Sequence, residues 1–221
     1  MKFLLERKNY GSLYHFTSLT ALYMIIESDK IETGKPLDDL YVDNIGNEQR
    51  MMDLEEKYPL YISTTRNKYL YKKNHGILNS LSSMVELDVD KLTDNFKVLP
   101  VNWFSSLDKE KHVDDESEEA ILLRKGVNHI GFKKYVKSIT LPTYGLFVKE
   151  IYSYREDYRY MLDMFTEEVL ADLNIDINVS VEDIVNDQKE GGTKELKLIY
   201  DNMIQKIKMK MGSKINDQYL N

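Results

Sequence analysis

The sequence predicts an α+β protein in which a strand-rich part, up to about residue 144, is followed by a helical segment. In the first part, short stretches alternate apolar and polar residues or are rich in β-branched and aromatic side chains, as strands are. Beyond Tyr144, apolar residues recur at the three- and four-residue spacing of a helix with one buried face. We therefore expect an α+β domain over residues 1–144 and a helical extension over residues 145–221.

The bulk composition is typical of a globular domain with a core of its own. The 221 residues are 42% hydrophobic and 30% charged, and no cysteine is present, which excludes disulfides and thiolate metal sites. The first residues lack the pattern of a signal peptide, and no stretch approaches the roughly 20 apolar residues of a membrane span. We expect a cytoplasmic protein without a membrane partner. The net charge of −7 argues against non-specific nucleic-acid binding, which needs a basic surface.

The first elements are a short strand and a helix. Residues 14–16 read as a strand that carries His15 between two aromatic side chains, and residues 18–28 show helical spacing. Thr17 or Ser18 can cap this helix, because a hydroxyl oxygen accepts a hydrogen bond from one of its first amides. The N-terminus of a helix also favours negative charge such as phosphate. His15 is therefore expected at the mouth of a strand-to-helix turn.

The remaining elements follow from the same two patterns. A turn is expected at residues 90–92, and polar loops at residues 37–57 and 105–118, with a helix near residues 47–57 as the alternative for the end of the first loop. A helix capped by Ser180 is expected at residues 181–188. The last long helix places one set of apolar residues on a single face: Leu196, Ile199, Tyr200, Met203 and Ile207. Strands are predicted at residues 30–32, 60–64, 83–89, 96–101, 119–123, 127–130 and 136–142, and long helices at residues 147–173 and 193–211.

Polar groups lie at or near the ends of three of these apolar strands. They are His15, the run of residues 63–66 (Ser-Thr-Thr-Arg), and Glu118 or Glu119. The guanidinium can hold a pyrophosphate through two hydrogen bonds, and the hydroxyls can bind a ribose. A glutamate can stabilise a developing oxocarbenium ion or polarise an attacking hydroxyl. This set of side chains therefore suits an anionic sugar-phosphate substrate.

Other common chemistries fit the sequence less well. The four histidines (His15, His75, His112 and His129) are scattered without the spacing of metal ligands, so no metal site is expected. There is no glycine-rich phosphate loop. Ser63 lacks the glycine-flanked turn that presents the nucleophile of a serine hydrolase.

Three stretches of the chain together resemble the ADP-ribosyltransferase fold, close to the DarT-type toxins and related phage-encoded transferases. They are Tyr14-His15-Phe16-Thr17 with the helix over residues 19–26, then residues 61–67, then residues 116–123. They occur in the order of that family over residues 12–142. The resemblance implies a split β-sheet core, and it does not cover the segment from about residue 145.

The resemblance also implies NAD as the substrate and a glutamate as the catalytic residue. The strand-entry position of the family favours Glu119, whereas its Glu-x-Glu form favours Glu118. Because neighbouring residues of a strand point to opposite faces, only one of the two enters the cleft. The remaining site residues implied are His15 and Thr17 on the nicotinamide-ribose side, Ser63 and Thr64 as the hydroxyl motif, and Arg66 as a phosphate ligand.

The predicted function is transfer of ADP-ribose from NAD to a macromolecular acceptor, either a protein or a nucleic acid. A nucleic-acid acceptor is supported by residues 68–73, Lys-Tyr-Leu-Tyr-Lys-Lys, which are basic with interleaved aromatics; a solvated edge is the alternative for that run. The alternative function is a catalytically inactive protein of the same fold. Such a protein would bind a host protein or a nucleotide signal, as an anti-defence or regulatory module.

Overall fold

The computed structural model describes residues 12–33, 35–36, 55–66, 83–100, 119–154, 176–180, 194–211 and 215–218. These residues form a mixed α+β fold, in agreement with the predicted class. The strands are β1 (Leu13–Thr17), β2 (Lys30–Glu32), β3 (Leu60–Thr64), β4 (Ser83–Leu87), β5 (Lys97–Pro100), β6 (Glu119–Leu123), β7 (His129–Gly131), β8 (Val136–Leu141), β9 (Asp176–Ser180) and β10 (Ile215–Gln218). The helices are α1 (Leu19–Ser28), α2 (Val89–Asn95), α3 (Phe132–Tyr135), α4 (Tyr144–Tyr154) and α5 (Lys194–Met211).

The strands are arranged in three sheets. The largest has the order β1-β4-β8-β9-β10, with β1, β4 and β8 antiparallel to one another and β8, β9 and β10 parallel. A second sheet has the order β3-β6-β5 and is antiparallel throughout. The third consists of β2 and β7. The first two sheets meet where β1 lies beside β3, and this junction holds the residues discussed below.

The first helix forms for the reasons expected from its sequence. The hydroxyl of Ser18 accepts a hydrogen bond from the Ala21 amide at 3.0 Å, so Ser18, of the two residues proposed, is the N-cap. The helix ends at Asp29, whose φ of 56° is left-handed. The Asp29 carboxylate then accepts a hydrogen bond from the Lys133 amide at 2.7 Å and so begins α3. One aspartate thus ends one helix and starts another, and α3 was not predicted.

The turn predicted at residues 90–92 is wrong, because these residues belong to α2. The side chain of Asp88 accepts a hydrogen bond from the Lys91 amide at 3.3 Å and caps this helix, so β4 ends at Leu87. Desolvation raises the pKa of Asp88, but the bond from the Lys91 amide and the charge of Lys137 outweigh it, and the pKa lies below its ordinary value.

The segment beyond residue 144 contains strands as well as the predicted helices. Strands β9 and β10 extend the largest sheet, and neither was predicted, so the description of this segment as purely helical is corrected. Parallel neighbours need long crossover connections, and α4 and α5 lie in the connections from β8 to β9 and from β9 to β10. The division of the chain at residue 144 stays a prediction, although residues on both sides of it belong to one hydrophobic cluster.

The last helix, α5, is attached to α4 by aromatic contacts and a hydrogen bond. The ring of Tyr200 lies 5.6 Å from that of Tyr144 and 5.4 Å from that of Phe147, and its hydroxyl donates to the carbonyl of Pro142 at 2.8 Å. The predicted face is confirmed by the burial of all of its members: Leu196, Ile199, Tyr200, Met203 and Ile207.

None of the helices among the described residues has the length and continuous apolar character needed to span a bilayer. Several predicted elements lie outside the described residues. They are the loop at 105–118, most of the loop at 37–57, the helical residues 155–173 and the helix at 181–188.

Candidate functional site

The site is built on the junction of β1 and β3. Tyr14 and Thr65 form a two-way backbone bridge, with N–O distances of 2.7 and 2.9 Å. In an antiparallel pair, directly opposed residues point to the same face and their neighbours to the other. His15 and Thr64 are therefore expected on one face, opposite that of Tyr14 and Thr65. In the described part of the chain this is the one bridge between the two strands, which then separate.

His15 spans the point at which the strands separate. Its Nδ1 lies 2.9 Å from the carbonyl oxygen of Ser63. A carbonyl only accepts hydrogen bonds, so Nδ1 carries the proton and the other ring nitrogen, Nε2, is an acceptor. In a continued ladder the Ser63 carbonyl would accept from a backbone amide of β1. The imidazole therefore takes the place of a ladder bond and holds the two strands together while they diverge.

Burial lowers the pKa of His15 below its ordinary value of 6.5; the bond to Ser63 opposes this, and the charge of Lys35 adds to it. The unfolded chain therefore binds more protons than the folded chain at mildly acidic pH. We expect the stability contributed by neutral His15 to be complete above about pH 6.5 and to fall as the pH drops below it.

The steepest slope expected from this single group is about 1.4 kcal/mol per pH unit. His15→Asn retains a donor near the Nδ1 position and does not titrate, so its unfolding free energy should vary less between pH 7 and 5. Urea denaturation at several pH values measures this. A variant with the same pH dependence as the wild type would contradict a partly buried, neutral His15.

Thr64 and Glu119 face each other across β3 and β6. They are register partners, and the Thr64 hydroxyl donates to the Glu119 backbone carbonyl at 2.9 Å. The Thr64 side chain is buried. Its hydroxyl therefore fixes the backbone at the start of β6, a role that sequence reasoning, which made Thr64 a cofactor ligand, did not include. Ser63 is partnered with Ala120 instead and points to the opposite face of the sheet.

Arg66 forms a bidentate ion pair with Glu119. Its Nη2 donates to Oε2 at 3.0 Å, and its Nε donates to Oε1. The Glu119 side chain is 3% exposed and that of Arg66 is 23% exposed. Arginine is suited to this fork-like contact because its donors match the two carboxylate oxygens. The structure therefore brings together the guanidinium and the acid that the sequence placed 53 residues apart.

Thr17 lies at the far end of β1 from this pair, opposite Ser83 of β4. Both side chains are buried, Ser83 to 1% exposure, and the Ser83 hydroxyl has no hydrogen-bond partner among the described residues. An unpaired buried hydroxyl can be satisfied by a polar ligand group. Ser83 was missed by sequence analysis, since a serine at the start of an alternating strand carries no distinguishing signal.

The N-terminus of α1 is occupied by a carboxylate of the chain itself. The amide of Leu19 donates to Oε1 of Glu150 at 2.7 Å, and Glu150 is 1% exposed. The sequence predicts that a phosphate is favoured at this helix end. Glu150, on α4 and 131 residues away, supplies that negative charge instead.

Glu150→Ala is expected to lower the free energy of unfolding by about 1–3 kcal/mol, because it leaves a buried amide without its acceptor. Glu150→Gln retains an acceptor oxygen for the Leu19 amide and removes the negative charge at the helix end, so a loss of about 0.3–1 kcal/mol is expected. Thermal and urea unfolding of both variants measure the difference. Equal losses in the two variants would show that the hydrogen bond to Leu19 contributes little.

The site residues thus lie across three neighbouring strands, β1, β3 and β6. Two inter-strand steps of about 4.8 Å each separate the backbone of His15 from that of Glu119 by roughly 10 Å. The imidazole acceptor of His15, the ion-paired carboxylate of Glu119 and the buried hydroxyl of Thr64 lie within this span, and groups of these types can bind an uncharged or cationic sugar-like group. The described residues contain no group of three or more His, Asp or Glu side chains placed to hold a metal ion.

Glu118 and residues 68–73 lie outside the described residues. Of the two candidate glutamates, the structure therefore describes Glu119.

Comparison with known proteins gives no match to a family model, to a curated protein or to a solved structure.

Proposed function

We propose that this protein is an NAD-dependent ADP-ribosyltransferase that modifies a macromolecular acceptor in the cytoplasm. One observation carries the proposal: three polar stretches that are distant in sequence come together at one junction. His15 bonds to Ser63, 48 residues away, and Arg66 bonds to Glu119, 53 residues away. The separation of the sheets beyond the Tyr14–Thr65 bridge is also what a split β-sheet core would require.

The proposed reaction uses these groups as follows. The bond between nicotinamide and its ribose breaks, nicotinamide leaves as a neutral molecule, and positive charge develops on the ribose. The carboxylate of Glu119 stabilises that charge. Electrostatic stabilisation of this kind is usually the largest single contribution to the rate enhancement of an enzyme. A nucleophilic atom of the acceptor then bonds to the ribose carbon and loses its proton to a base. His15 is the proposed base, because it is neutral, its Nε2 is an acceptor and its bond to Ser63 orients the ring.

The experiment that tests the proposal measures NAD consumption by the purified protein together with mass or radiolabel transfer to a cell lysate. Parallel lysates treated with nuclease or protease identify the class of acceptor. The wild type is expected to consume NAD, and the double variant Glu118→Gln, Glu119→Gln is expected to be inactive. Full activity in the double variant would reject the proposed chemistry.

A second candidate is a protein of the same fold that binds a host protein or a nucleotide signal without turnover. The observation favouring it is that both positions expected to receive phosphate are filled by the chain's own carboxylates. Glu150 bonds to the first amide of α1, and Glu119 bonds to Arg66. Saturable binding of NAD or ADP-ribose in calorimetry, without nicotinamide release, would select this function over transfer.

A further inference from the structure

In the ion pair between Arg66 and Glu119, the backbone of Glu119 is held by β structure on both sides. Glu119 belongs to the central strand of its sheet, paired with β3 on one side and β5 on the other, so its backbone is fixed. The Thr64 hydroxyl adds a bond to its carbonyl oxygen. What this leaves free is the rotation of the Glu119 side chain. Two parallel bonds from one guanidinium fix the plane of a carboxylate as well as its position.

The same bonds reduce the capacity of Arg66 to bind a diphosphate. A diphosphate would have to compete for the guanidinium with the carboxylate of Glu119, which is 3% exposed. This carboxylate belongs to the same chain and is already in contact with Arg66. Releasing Arg66 would leave that buried carboxylate without a cationic partner, which is strongly unfavourable. The predicted assignment of Arg66 as a phosphate ligand is therefore the less favourable of its two roles.

We infer that Arg66 is a positioning residue, which orients the carboxylate of Glu119 for the reaction and does not bind the diphosphate of NAD. This inference rests on the proposed transferase function and specifies how its acidic group is held. Arg66 acts through Glu119, so its removal affects the chemical step. Displacement of a catalytic group by about 1 Å can cost roughly 100-fold in rate.

The test separates kcat from KM for NAD in three variants. Arg66→Gln is expected to lower kcat by about 100-fold while KM changes by less than about threefold, because a lost transition-state interaction affects kcat. Arg66→Lys retains the charge but not the two-pronged contact, and an intermediate loss of about tenfold is expected. Arg124→Gln is the matched control, since Arg124 is exposed directly after β6, and it should retain wild-type kinetics.

Added guanidinium ion provides a readout that a purely structural role would not produce. It should restore part of the kcat of Arg66→Ala and none of that of Glu119→Gln. A variant of Arg66 with an unchanged kcat and a KM raised tenfold or more would overturn the inference. Such a result would assign Arg66 as a ligand of the diphosphate of NAD.

Failure of the proposed function gives a different result. A wild type that neither turns over nor binds NAD would reject the transferase function, and with it the positioning role. An active wild type with unaltered kcat in Arg66→Gln would overturn the positioning role alone.

Discussion

Arg66→Met is expected to lower the free energy of unfolding by about 3–5 kcal/mol, the usual cost of leaving one member of a buried ion pair without its partner. The Glu119 side chain is 3% exposed, so water does not replace the lost guanidinium. The chain would retain its strands but would have to bury a carboxylate alone or move it towards solvent. Urea denaturation followed by circular dichroism measures the loss.

Removing Glu119 and keeping Arg66 should lower the free energy of unfolding by less. Glu119→Leu leaves Arg66, whose side chain is 23% exposed and can turn its guanidinium towards water, and we expect a loss of about 1–2 kcal/mol. In the double variant Arg66→Met, Glu119→Leu no charge remains, and apolar side chains of similar size can pack in its place with nearly wild-type stability. The two losses should therefore be far from additive.

Arg124→Met is the control for removing an exposed arginine, with an expected change within about 0.5 kcal/mol. Additive losses at positions 66 and 119 would mean that the pair is not coupled in the folded protein. Such a result would also remove the basis for the positioning role of Arg66.

Glu119→Gln is expected to reduce NAD turnover by about 100- to 1,000-fold, the range found when a single electrostatic group of an active site is removed. Glutamine has nearly the same shape and retains one acceptor oxygen for Arg66, so the loss would report the charge more than the packing. Nicotinamide release, measured under saturating NAD, gives kcat directly.

Glu118→Gln is the matched comparison for that variant. The sequence predicts that only one of these two neighbouring glutamates enters the cleft, and the ion pair with Arg66 favours Glu119. We expect its kcat to remain within about threefold of the wild type, far less than the effect expected at an electrostatic site. A large loss in Glu118→Gln with a small one in Glu119→Gln would assign the reaction to Glu118 and leave the buried pair a structural role.

The elements that could be predicted are those whose signal is local. Ser18 caps α1 through a residue three positions away, and the alternating residues of β4 show one buried face within five residues. By contrast, the sequence predicts a turn where α2 lies, because the capping role of Asp88 is evident only from its bond to the Lys91 amide. Strand β10 carries little strand signal of its own, and it is identified as a strand by its pairing with β9.

For the site, the sequence supplied the candidate groups and left their relationships open. It identified His15, Arg66 and Glu119 as polar side chains at strand ends, and it assigned Arg66 to a phosphate. The structure pairs Arg66 with Glu119, the register partner of Thr64, which lies two residues before Arg66. The binding of a phosphate by Arg66 stays a prediction. Glu150 carries no distinguishing signal in the sequence, since it lies in the middle of a helical pattern and its partner, the Leu19 amide, belongs to the backbone.

The sequence by itself determined the fold class, most strand and helix positions, and the side chains with chemical capacity, because periodicity and caps act over a few residues. Only the tertiary structure decided which charged groups are already paired within the chain. The physical reason is that a buried carboxylate must find a donor wherever the fold provides one, and for Glu119 and Glu150 that donor lies 53 and 131 residues away.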